Sequence, residues 1–369
     1  MPQDIRTIAK GYLELNKNQK DAAEITALLE INDVKALNDR LSTRMAFGTA
    51  GLRAPMGAGY SRMNDLTVIQ ASQGLCKYLL ETNPKVHSQG VVVGHDHRHN
   101  SEQFARLTAA AFLHENIKVY YYERLVHTPL VPFGVTQLGA AAGIMITASH
   151  NPKEDNGYKV YWSNGSQIIP PHDKGIAEKI EQNLVPWTWD NTLVKTSPLC
   201  TDPAESMIAA YFGSVATLSV SKATNDAPDF PICYTAMHGV GYIYAKKSAE
   251  VFGLAPLVPT PEQVEPDPEF PTVKFPNPEE GKGALALAMK AADASGARVI
   301  LANDPDEEAP SLRGFGGHGN AHAASAEHGD LGSGVTMEPG NVEGAERERE
   351  GESNGVRNGL EVFGGGDIF

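Results

Sequence analysis

Ser149 is the residue whose position first indicates chemistry. It stands in the run TASHNP, residues 147–152, directly after the apolar segment Gly143–Thr147, which is typical of a buried strand. A serine at the carboxyl end of a parallel strand lies where open α/β sheets place their reacting groups. The adjacent His150 does not by itself make a hydrolase site, because the G-x-S-x-G turn of such enzymes is absent. Taken alone, Ser149 is more often a turn or cap residue than a nucleophile.

Two other groups of reactive side chains give weaker signals. His95, His97 and His99 alternate as zinc ligands often do, but we expect them to lie one strand-turn step away from the serine loop and to bind no metal. The 3 cysteines are far apart and form no paired motif. This spacing argues against a disulfide framework and against a cysteine zinc site, so we expect neutral thiols.

Alternating strands and helices must position the serine loop. Residues 64 and 65 are suited to cap a helix over Leu66–Glu81, and the apolar run GVVVG at residues 90–94 predicts a strand. The alternation continues through the segments 101–112, 119–122, 129–138 and 143–147. A second such stretch comprises the segments 232–235, 242–252, 279–294 and 297–302. The pattern predicts an α/β fold with mixed, mostly parallel sheets flanked by helices.

Changes in composition divide the chain into four segments. Residues 1–40 read as one or two surface helices, residues 41–203 as a first α/β domain, and residues 204–309 as a second, incomplete domain. Residues 310–369 are rich in Gly, Ser, Glu and His and have few periodic apolar residues. Such a segment buries too little surface to offset its ordering entropy, so we predict a disordered tail.

Composition limits the classes of partner. The chain of 369 residues has 41% hydrophobic and 21% charged residues, as in globular proteins, and its net charge of −14 argues against general nucleic-acid binding. It has no apolar run of membrane-spanning length and no secretory signal at its start. We therefore expect a cytoplasmic monomer that contacts neither nucleic acid nor membrane. An anionic small substrate stays compatible with this charge, because it needs only a local cationic site.

Four ordered segments resemble the α-D-phosphohexomutase superfamily. They are FGTAGLRAPMG (47–57), GHDHRHNS (94–101), TASHNPKEDNGYKVYW (147–162) and LANDPD (301–306). Together with HGVGY and DPEFPTVKFPNPEEGKG, they are most similar to the phosphoglucomutase-2/phosphopentomutase branch. The resemblance covers residues 1–306 and none of the remainder. It implies two phosphohexomutase domains, of which the second is incomplete.

The resemblance implies a role for each residue around the serine. Ser149 would carry a phosphoryl group, Arg53 would lie near it, and Lys159 would act as general acid and base on the sugar hydroxyl. His150 and Asn151 would shape the loop and orient the phosphoryl oxygens. A phosphoserine bears about −1.5 to −2 charges, so cations are needed around it. The expected catalytic residues are Ser149, Lys159, Arg53 and His150, and the expected substrate-binding residues are Arg53, Ser149, Asn151 and Lys159.

The resemblance also implies a metal ion and a second cofactor. Members of the superfamily hold Mg²⁺ on a D-x-D-x-D-R loop beside the phosphoserine and are activated by a sugar bisphosphate. In this chain Asp304, Asp306 and Glu308 take the carboxylate positions, Ser149 supplies a further oxygen, and Ala309 replaces the arginine. Glu308 is one methylene longer than the aspartate it replaces. Mg²⁺ prefers such hard oxygen ligands in octahedral geometry.

The implied activity is that of an isomerase acting as an intramolecular phosphotransferase on phosphosugars. It would interconvert ribose or deoxyribose 1-phosphate with the 5-phosphate, and glucose 1-phosphate with the 6-phosphate, through a phosphoserine and a sugar bisphosphate. Two alternatives stay open: a phosphotransferase similar to glucose 1,6-bisphosphate synthase, and a non-catalytic truncated isoform. The sugar-recognition and phosphate-clamp motifs of the family's later domains do not occur after Asp306. We therefore expect mutase activity of this chain to be impaired or absent.

Overall fold

The computed structural model describes residues 4–49, 51–220, 225, 230–280, 282–306, 310–316 and 320–325. Its helices are α1 (Ile5–Leu15), α2 (Gln19–Glu30), α3 (Val34–Leu41), α4 (Asp65–Thr82), α5 (Val86–Gln89), α6 (Ser101–His114), α7 (Leu130–Leu138), α8 (His172–Gln182), α9 (Leu193–Thr196), α10 (Ala204–Ala216), α11 (Tyr242–Phe252) and α12 (Lys282–Ser295). Its strands are β1 (Leu52–Pro55), β2 (Val91–His95), β3 (Val119–Tyr121), β4 (Ala142–Ile146), β5 (Asp155–Trp162), β6 (Cys200–Thr201), β7 (Ile232–Thr235), β8 (Val258–Pro259), β9 (Val299–Asn303), β10 (Pro310–Gly316) and β11 (Asn320–Ser325). Within these ranges, none of the helices combines the length and the hydrophobicity needed to cross a bilayer.

Three helices open the described chain, so the prediction of one or two surface helices was wrong. The breaks fall at polar residues whose side chains cap the next helix: Asn18 accepts hydrogen bonds from two N–H groups of α2, and Asp33 accepts one from α3. The helices also have an apolar side that is not at the surface. Tyr12, Ile25 and Leu37 are fully buried in a cluster that also includes Ala58 and Leu66 of the first domain. This unit therefore packs as a small core against the first domain.

The first sheet has six strands in the order β1-β5-β4-β2-β3-β6. Strands β4, β2, β3 and β6 pair in parallel, and β5 pairs antiparallel with both β4 and β1. Adjacent residues of β2 face opposite apolar clusters: Val91 and Val93 lie in one, and Val92 lies in the other. This two-sided burial explains why the strand is a continuous apolar run. Helix α4 enters the core with a capping box formed by Asn64 and Thr67.

The second sheet has five strands in the order β11-β10-β9-β7-β8. Strands β8, β7 and β9 are parallel. Strand β10 pairs antiparallel with β9, and β11 pairs antiparallel with β10. Helix α12 buries Ala288 and Ala292 against Cys233 of β7 and Ile300 of β9. The predicted class, mixed sheets flanked by helices in two α/β domains, is confirmed.

The predicted disordered tail requires a correction. Residues 310–316 and 320–325 form strands, and β10 pairs with β9 in a register that places Pro310 opposite Asn303. Composition reflects only the apolar side chains available for burial, whereas a strand pairs through backbone N–H and C=O groups that every non-proline residue carries. Strands β9 and β10 are thus antiparallel neighbours in the second sheet. Residues 326–369 lie outside the described residues.

Candidate active site

Ser149 lies on the loop after β4 in a strained backbone conformation. Its φ is +51°, in the left-handed region, and 2% of its surface is exposed. Its N–H donates a hydrogen bond of 3.1 Å to the Thr147 hydroxyl. Such strain persists where surrounding structure fixes it, and it is concentrated at functional sites. The surrounding structure therefore holds the loop that carries Ser149 in this conformation.

A glycine on β5 supports the base of this loop. The Thr147 N–H donates to the carbonyl of Gly157 at 3.2 Å. A Cβ atom at Gly157 would lie 2.4 Å from the Thr147 carbonyl oxygen, so a larger residue would push the two strands apart. The glycine in the run DNGYKVYW thus permits the approach of β5 to the serine loop.

Arg53 reaches Ser149 because β1 pairs with β5. Arg53 is opposite Gly157 in this pairing, which directs it to the end of β4 where the loop begins. Its Nη2 donates to Ser149 Oγ at 3.3 Å, and its Nη1 donates to Asn151 Oδ1 at 3.2 Å. Asn151 Nδ2 in turn donates to Asp155 Oδ2 at 2.8 Å. A guanidinium cation is thereby held beside the serine hydroxyl.

Asp306, from the second domain, is the centre of a hydrogen-bond network that joins the two domains. Its Oδ2 accepts from Lys159 Nζ at 2.8 Å, from the Thr128 hydroxyl at 3.0 Å and from the Thr147 hydroxyl at 3.2 Å. Its backbone carbonyl accepts from the Thr128 N–H at 2.8 Å. Burial raises the pKa of the Asp306 carboxyl, but the Lys159 ammonium and the hydrogen bonds outweigh burial, so its pKa lies well below the ordinary value. Lys159 and Asp306 form an ion pair with side chains 3% and 0% exposed.

The donors near Asp306 suit a hard cation. Asp306 Oδ1 is buried and has no hydrogen-bond partner among the described residues, and Asp304 is 3% exposed. His150 Nδ1 lies 3.8 Å from Asp304 Oδ2, so His150 connects the serine loop to this carboxylate. In the part of the chain that the structure describes, no three His, Cys, Asp or Glu side chains are arranged to hold a metal. Glu308, the third predicted carboxylate, lies outside the described residues.

The loop after β7 fixes the backbone of the Asp304–Asp306 turn. The Val240 N–H donates to the Pro305 carbonyl at 2.9 Å. A Cβ at Gly239 would lie 2.3 Å from the Pro305 backbone, so only glycine fits at that position. The HGVGY motif, residues 238–242, is thus explained as a support for the acidic loop.

The structure brings the predicted residues together in two groups. Arg53, Ser149 and Asn151 are in direct contact, and Lys159 contacts Asp306. Thr128 and Thr147 were not predicted as site residues, but their hydroxyls donate to the same carboxylate oxygen as Lys159. Thr147 lies in the same motif as Ser149, and this position in the sequence could have indicated a role for it. Thr128 lies in no motif, and only the fold brings it to Asp306.

Two family models match the chain in order. The model described as phosphoglucomutase/phosphomannomutase, alpha/beta/alpha domain I, matches residues 44–185, and the model for domain II matches residues 209–312. The chain belongs to the phosphoglucomutase/phosphomannomutase family. The resemblance inferred from the four segments is therefore confirmed. The second match also includes Pro310, the first residue of β10, which the sequence analysis had assigned to the tail.

Similar proteins agree with this assignment. The chain is 48% identical over 307 residues to the probable phosphoribomutase of Schizosaccharomyces pombe, a match that covers 82% of this chain and 52% of the relative. It is 46% identical over 305 residues to Homo sapiens phosphopentomutase, with 80% and 50% covered, and equally identical to Homo sapiens glucose 1,6-bisphosphate synthase, with 80% and 49% covered. The chain spans about half the length of these curated relatives. Among solved structures, a putative phosphomannomutase from Thermus thermophilus matches with a TM-score of 0.58 and 26% identity over 73% of this chain and 57% of that one.

Proposed function

We propose that this chain is a phosphotransferase of the isomerase type that acts on phosphosugars and carries the transferred phosphoryl group on Ser149. The observation that supports it best is the position of this serine: buried, strained, and 3.3 Å from the Arg53 guanidinium. Relatives at 46–48% identity named phosphoribomutase and phosphopentomutase support sugar 1-phosphates and 5-phosphates as the substrates. Glucose 1-phosphate and 6-phosphate are the proposed hexose pair.

The proposed reaction begins with attack of Ser149 Oγ on a phosphoryl group of a sugar bisphosphate. The P–O bond to the sugar breaks, a P–O bond to Ser149 forms, and the serine proton passes in net to the sugar oxygen with Lys159 as the relay. The Arg53 guanidinium offsets the charge that develops on the phosphoryl oxygens. Reversal of the step at the free hydroxyl of a sugar monophosphate gives a bisphosphate, and transfer of its other phosphoryl group back to Ser149 completes the isomerisation. Asn151 and His150 hold the loop and orient these oxygens.

Mg²⁺ is the proposed metal, and a sugar bisphosphate is the proposed activator. Asp304, Asp306 and an oxygen on Ser149 are the described residues that would hold the ion, with Glu308 as a further predicted ligand. When bound, the ion neutralises charge on the phosphoryl oxygens. The buried Asp306 Oδ1 without a hydrogen-bond partner among the described residues supports this assignment. Cytoplasmic location and a monomeric state stay predictions of the sequence.

Phosphorylation of Ser149 is the direct test. The protein is incubated with glucose 1,6-bisphosphate and Mg²⁺, and the phosphoryl group is located by intact mass and peptide mapping. We expect one phosphoryl group on Ser149, none in Ser149→Ala, and slower labelling in Arg53→Ala. Ser163→Ala, at an exposed position, is the matched control and should be labelled as the wild type. Equal labelling of Ser149→Ala would contradict the proposal.

A coupled assay with ribose 1-phosphate or glucose 1-phosphate tests isomerisation separately. Any turnover of either sugar should depend on Ser149 and be absent in Ser149→Ala. The alternative, bisphosphate synthesis, is supported by relatives of the same 46% identity. A synthase must take the phosphoryl group from a donor other than its product. Net formation of glucose 1,6-bisphosphate from glucose 1-phosphate with acetyl phosphate would therefore favour the alternative.

A further inference from the structure

Arg98 holds the backbone of the serine loop. Its Nη2 donates to the carbonyl oxygens of Ser149 and Asn151, both at 2.7 Å, and its Nη1 donates to the Pro152 carbonyl at 2.8 Å. A planar guanidinium can serve several acceptors at fixed angles, which the single ammonium group of lysine cannot do. One side chain thus satisfies three carbonyls of the loop on which Ser149 has its positive φ.

Arg98 is itself fixed from its own loop. Its Nε lies 3.3 Å from Asp96 Oδ2, and both side chains are 0% exposed. Asp96 Oδ1 accepts from the Arg98 N–H at 2.9 Å and from the Ser101 hydroxyl at 2.6 Å. Burial lowers the pKa of Arg98, whereas the Asp96 carboxylate raises it. The orientation of a buried cation of this kind depends on neighbouring groups that pair with it and exclude water from it.

The second domain closes the remaining side of Arg98. The Arg98 Cζ lies 5.0 Å from the ring centroid of Phe270, a cation–π distance, and Phe270 is 3% exposed. Phe270 has a φ of +46°, which is unusual for a bulky residue. Beside it, Glu269 binds His99 and Lys153 at 2.5 and 2.6 Å, one on each of the two first-domain loops. The segment Asp267–Phe270 therefore contacts both the Arg98 loop and the serine loop.

We propose that Arg98 and Phe270 are positioning residues through which docking of the second domain sets the backbone conformation of Ser149. Arg98 supplies the hydrogen bonds, and the Phe270 ring keeps water from competing for the guanidinium. Without the ring, hydrated Arg98 holds the three carbonyls less firmly, and the strained Ser149 backbone relaxes. The catalytic meaning of this arrangement rests on the proposed function, but the structural coupling does not.

Hydrogen exchange of the serine loop tests the coupling. The amides of Ser149, Asn151 and Asp155 are hydrogen-bonded within this loop, so their exchange reports its opening. In Phe270→Ala we expect amides of residues 147–156 to exchange about 10-fold faster, because a desolvated cation–π contact is lost. Phe270→Leu, which keeps bulk but not the aromatic face, should give a smaller increase. Phe275→Ala, at a phenylalanine that is 46% exposed, should leave the loop unchanged.

The outcomes separate this inference from the proposed function. Unchanged exchange of residues 147–156 in Phe270→Ala, with faster exchange of residues 267–273, would overturn the coupling. If circular dichroism shows that Phe270→Ala does not fold, Phe270→Leu is judged by the same criterion. A positioning role also predicts slower phosphorylation of Ser149 in Phe270→Leu at an unchanged half-saturating bisphosphate concentration. If the wild type accepts no phosphoryl group, the proposed function fails, and the exchange data still decide the coupling.

Discussion

The first domain contacts each of its two neighbours through an apolar cluster, but the contacts around the two clusters differ. Against the N-terminal helices the cluster joins Tyr12, Ile25 and Leu37 to Ala58 and Leu66 of the first domain, and hydrogen bonds such as Asn18–Asp65 lie beside it. Against the second domain the cluster joins Val126 and Leu130 to Ala204 and Met207, and the contacts at the candidate site are polar, charged or aromatic. They include the Lys159–Asp306 ion pair at 2.8 Å, the Arg98–Phe270 contact at 5.0 Å, and the stack of His127 on Tyr244 at 3.8 Å.

The two kinds of contact contribute differently to the stability of the protein and to the geometry of the candidate site. Apolar burial is non-directional and stabilises without fixing angles, whereas hydrogen bonds and ion pairs constrain angles at the expense of desolvation. The polar interface also contains the candidate site, since Asp306 belongs to both. We therefore expect changes at the helical interface to alter stability alone, and changes at the second interface to alter the site as well.

The largest effect is expected from Asp306→Ala. This change removes the carboxylate that neutralises the buried Lys159 ammonium and accepts three side-chain hydrogen bonds. Removing one partner of a buried pair destabilises by about 3–5 kcal/mol. The urea midpoint of the unfolding transition, followed by circular dichroism, should fall accordingly. Glu250→Ala, in the exposed pair with Lys247, is the control, and equal midpoints for both variants would contradict the expectation.

Acid should weaken the second interface through His97. Both ring nitrogens are buried without a hydrogen-bond partner among the described residues, and the ring packs on Phe270 at 5.2 Å. Burial lowers the pKa of His97 from 6.5 to about 4, with smaller opposing effects of Asp96 and Asp267. The unfolded chain therefore binds this proton more readily. The contribution of neutral His97 to the unfolding free energy should be complete above pH 6.5. It should fall by about 2–3 kcal/mol as the pH drops to 4.

His97→Phe removes this proton and keeps a ring beside Phe270, so its unfolding free energy should depend less on pH between 6.5 and 4. His238, whose pKa burial also lowers, contributes in the same direction, and some dependence should persist. His87→Gln, at an exposed histidine, serves as the control. An identical pH profile for His97→Phe and the wild type would refute the assignment.

The helical interface should respond to pH with the opposite sign. Burial raises the pKa of Asp21 from 3.8 to about 6, and the neighbouring Asp65 and Glu24 raise it further. The folded chain therefore binds this proton more readily, so its contribution is complete below pH 3.8 and is lost as the pH rises through 6. Asp21→Asn should stabilise the protein at pH 7 by about 1 kcal/mol, a value reduced by solvent screening.

Urea unfolding of Asp21→Asn at pH 7 and at pH 4 measures this effect. The gain should be present at pH 7 and largely absent at pH 4, where the wild-type carboxyl is already protonated. Glu30→Gln, an exposed position on the same helix, makes the same charge change and should alter neither value. A gain at pH 4 equal to that at pH 7 would show that the cause is not the buried charge.

Local elements of both domains were predictable from the sequence, and their long-range contacts were not. Helix α4 was predicted at Leu66–Glu81 and spans Asp65–Thr82, because its cap and apolar period are both local signals. Strand β5 was not predicted, since its glycine and lysine obscure the alternation; Lys159 is 2% exposed within it. The Arg53–Ser149 contact joins residues 96 positions apart, and Thr128–Asp306 joins residues 178 apart. Spacing alone specifies neither pairing, so the site was reached only through the family resemblance.

The smallest effect is expected at the rim of the polar interface. Glu269 bridges His99 and Lys153, but the three side chains are 54%, 48% and 44% exposed. Hydrogen bonds from Lys153 and His99 lower the pKa of Glu269, yet water and salt screen such exposed pairs. Glu269→Gln should therefore leave the urea midpoint unchanged at physiological salt, whereas Phe270→Ala, one residue away and buried, should lower it. A midpoint shift of Glu269→Gln as large as that of Phe270→Ala would show that the exposed ion pairs stabilise the interface as much as the buried contact of Phe270 with the Arg98 guanidinium.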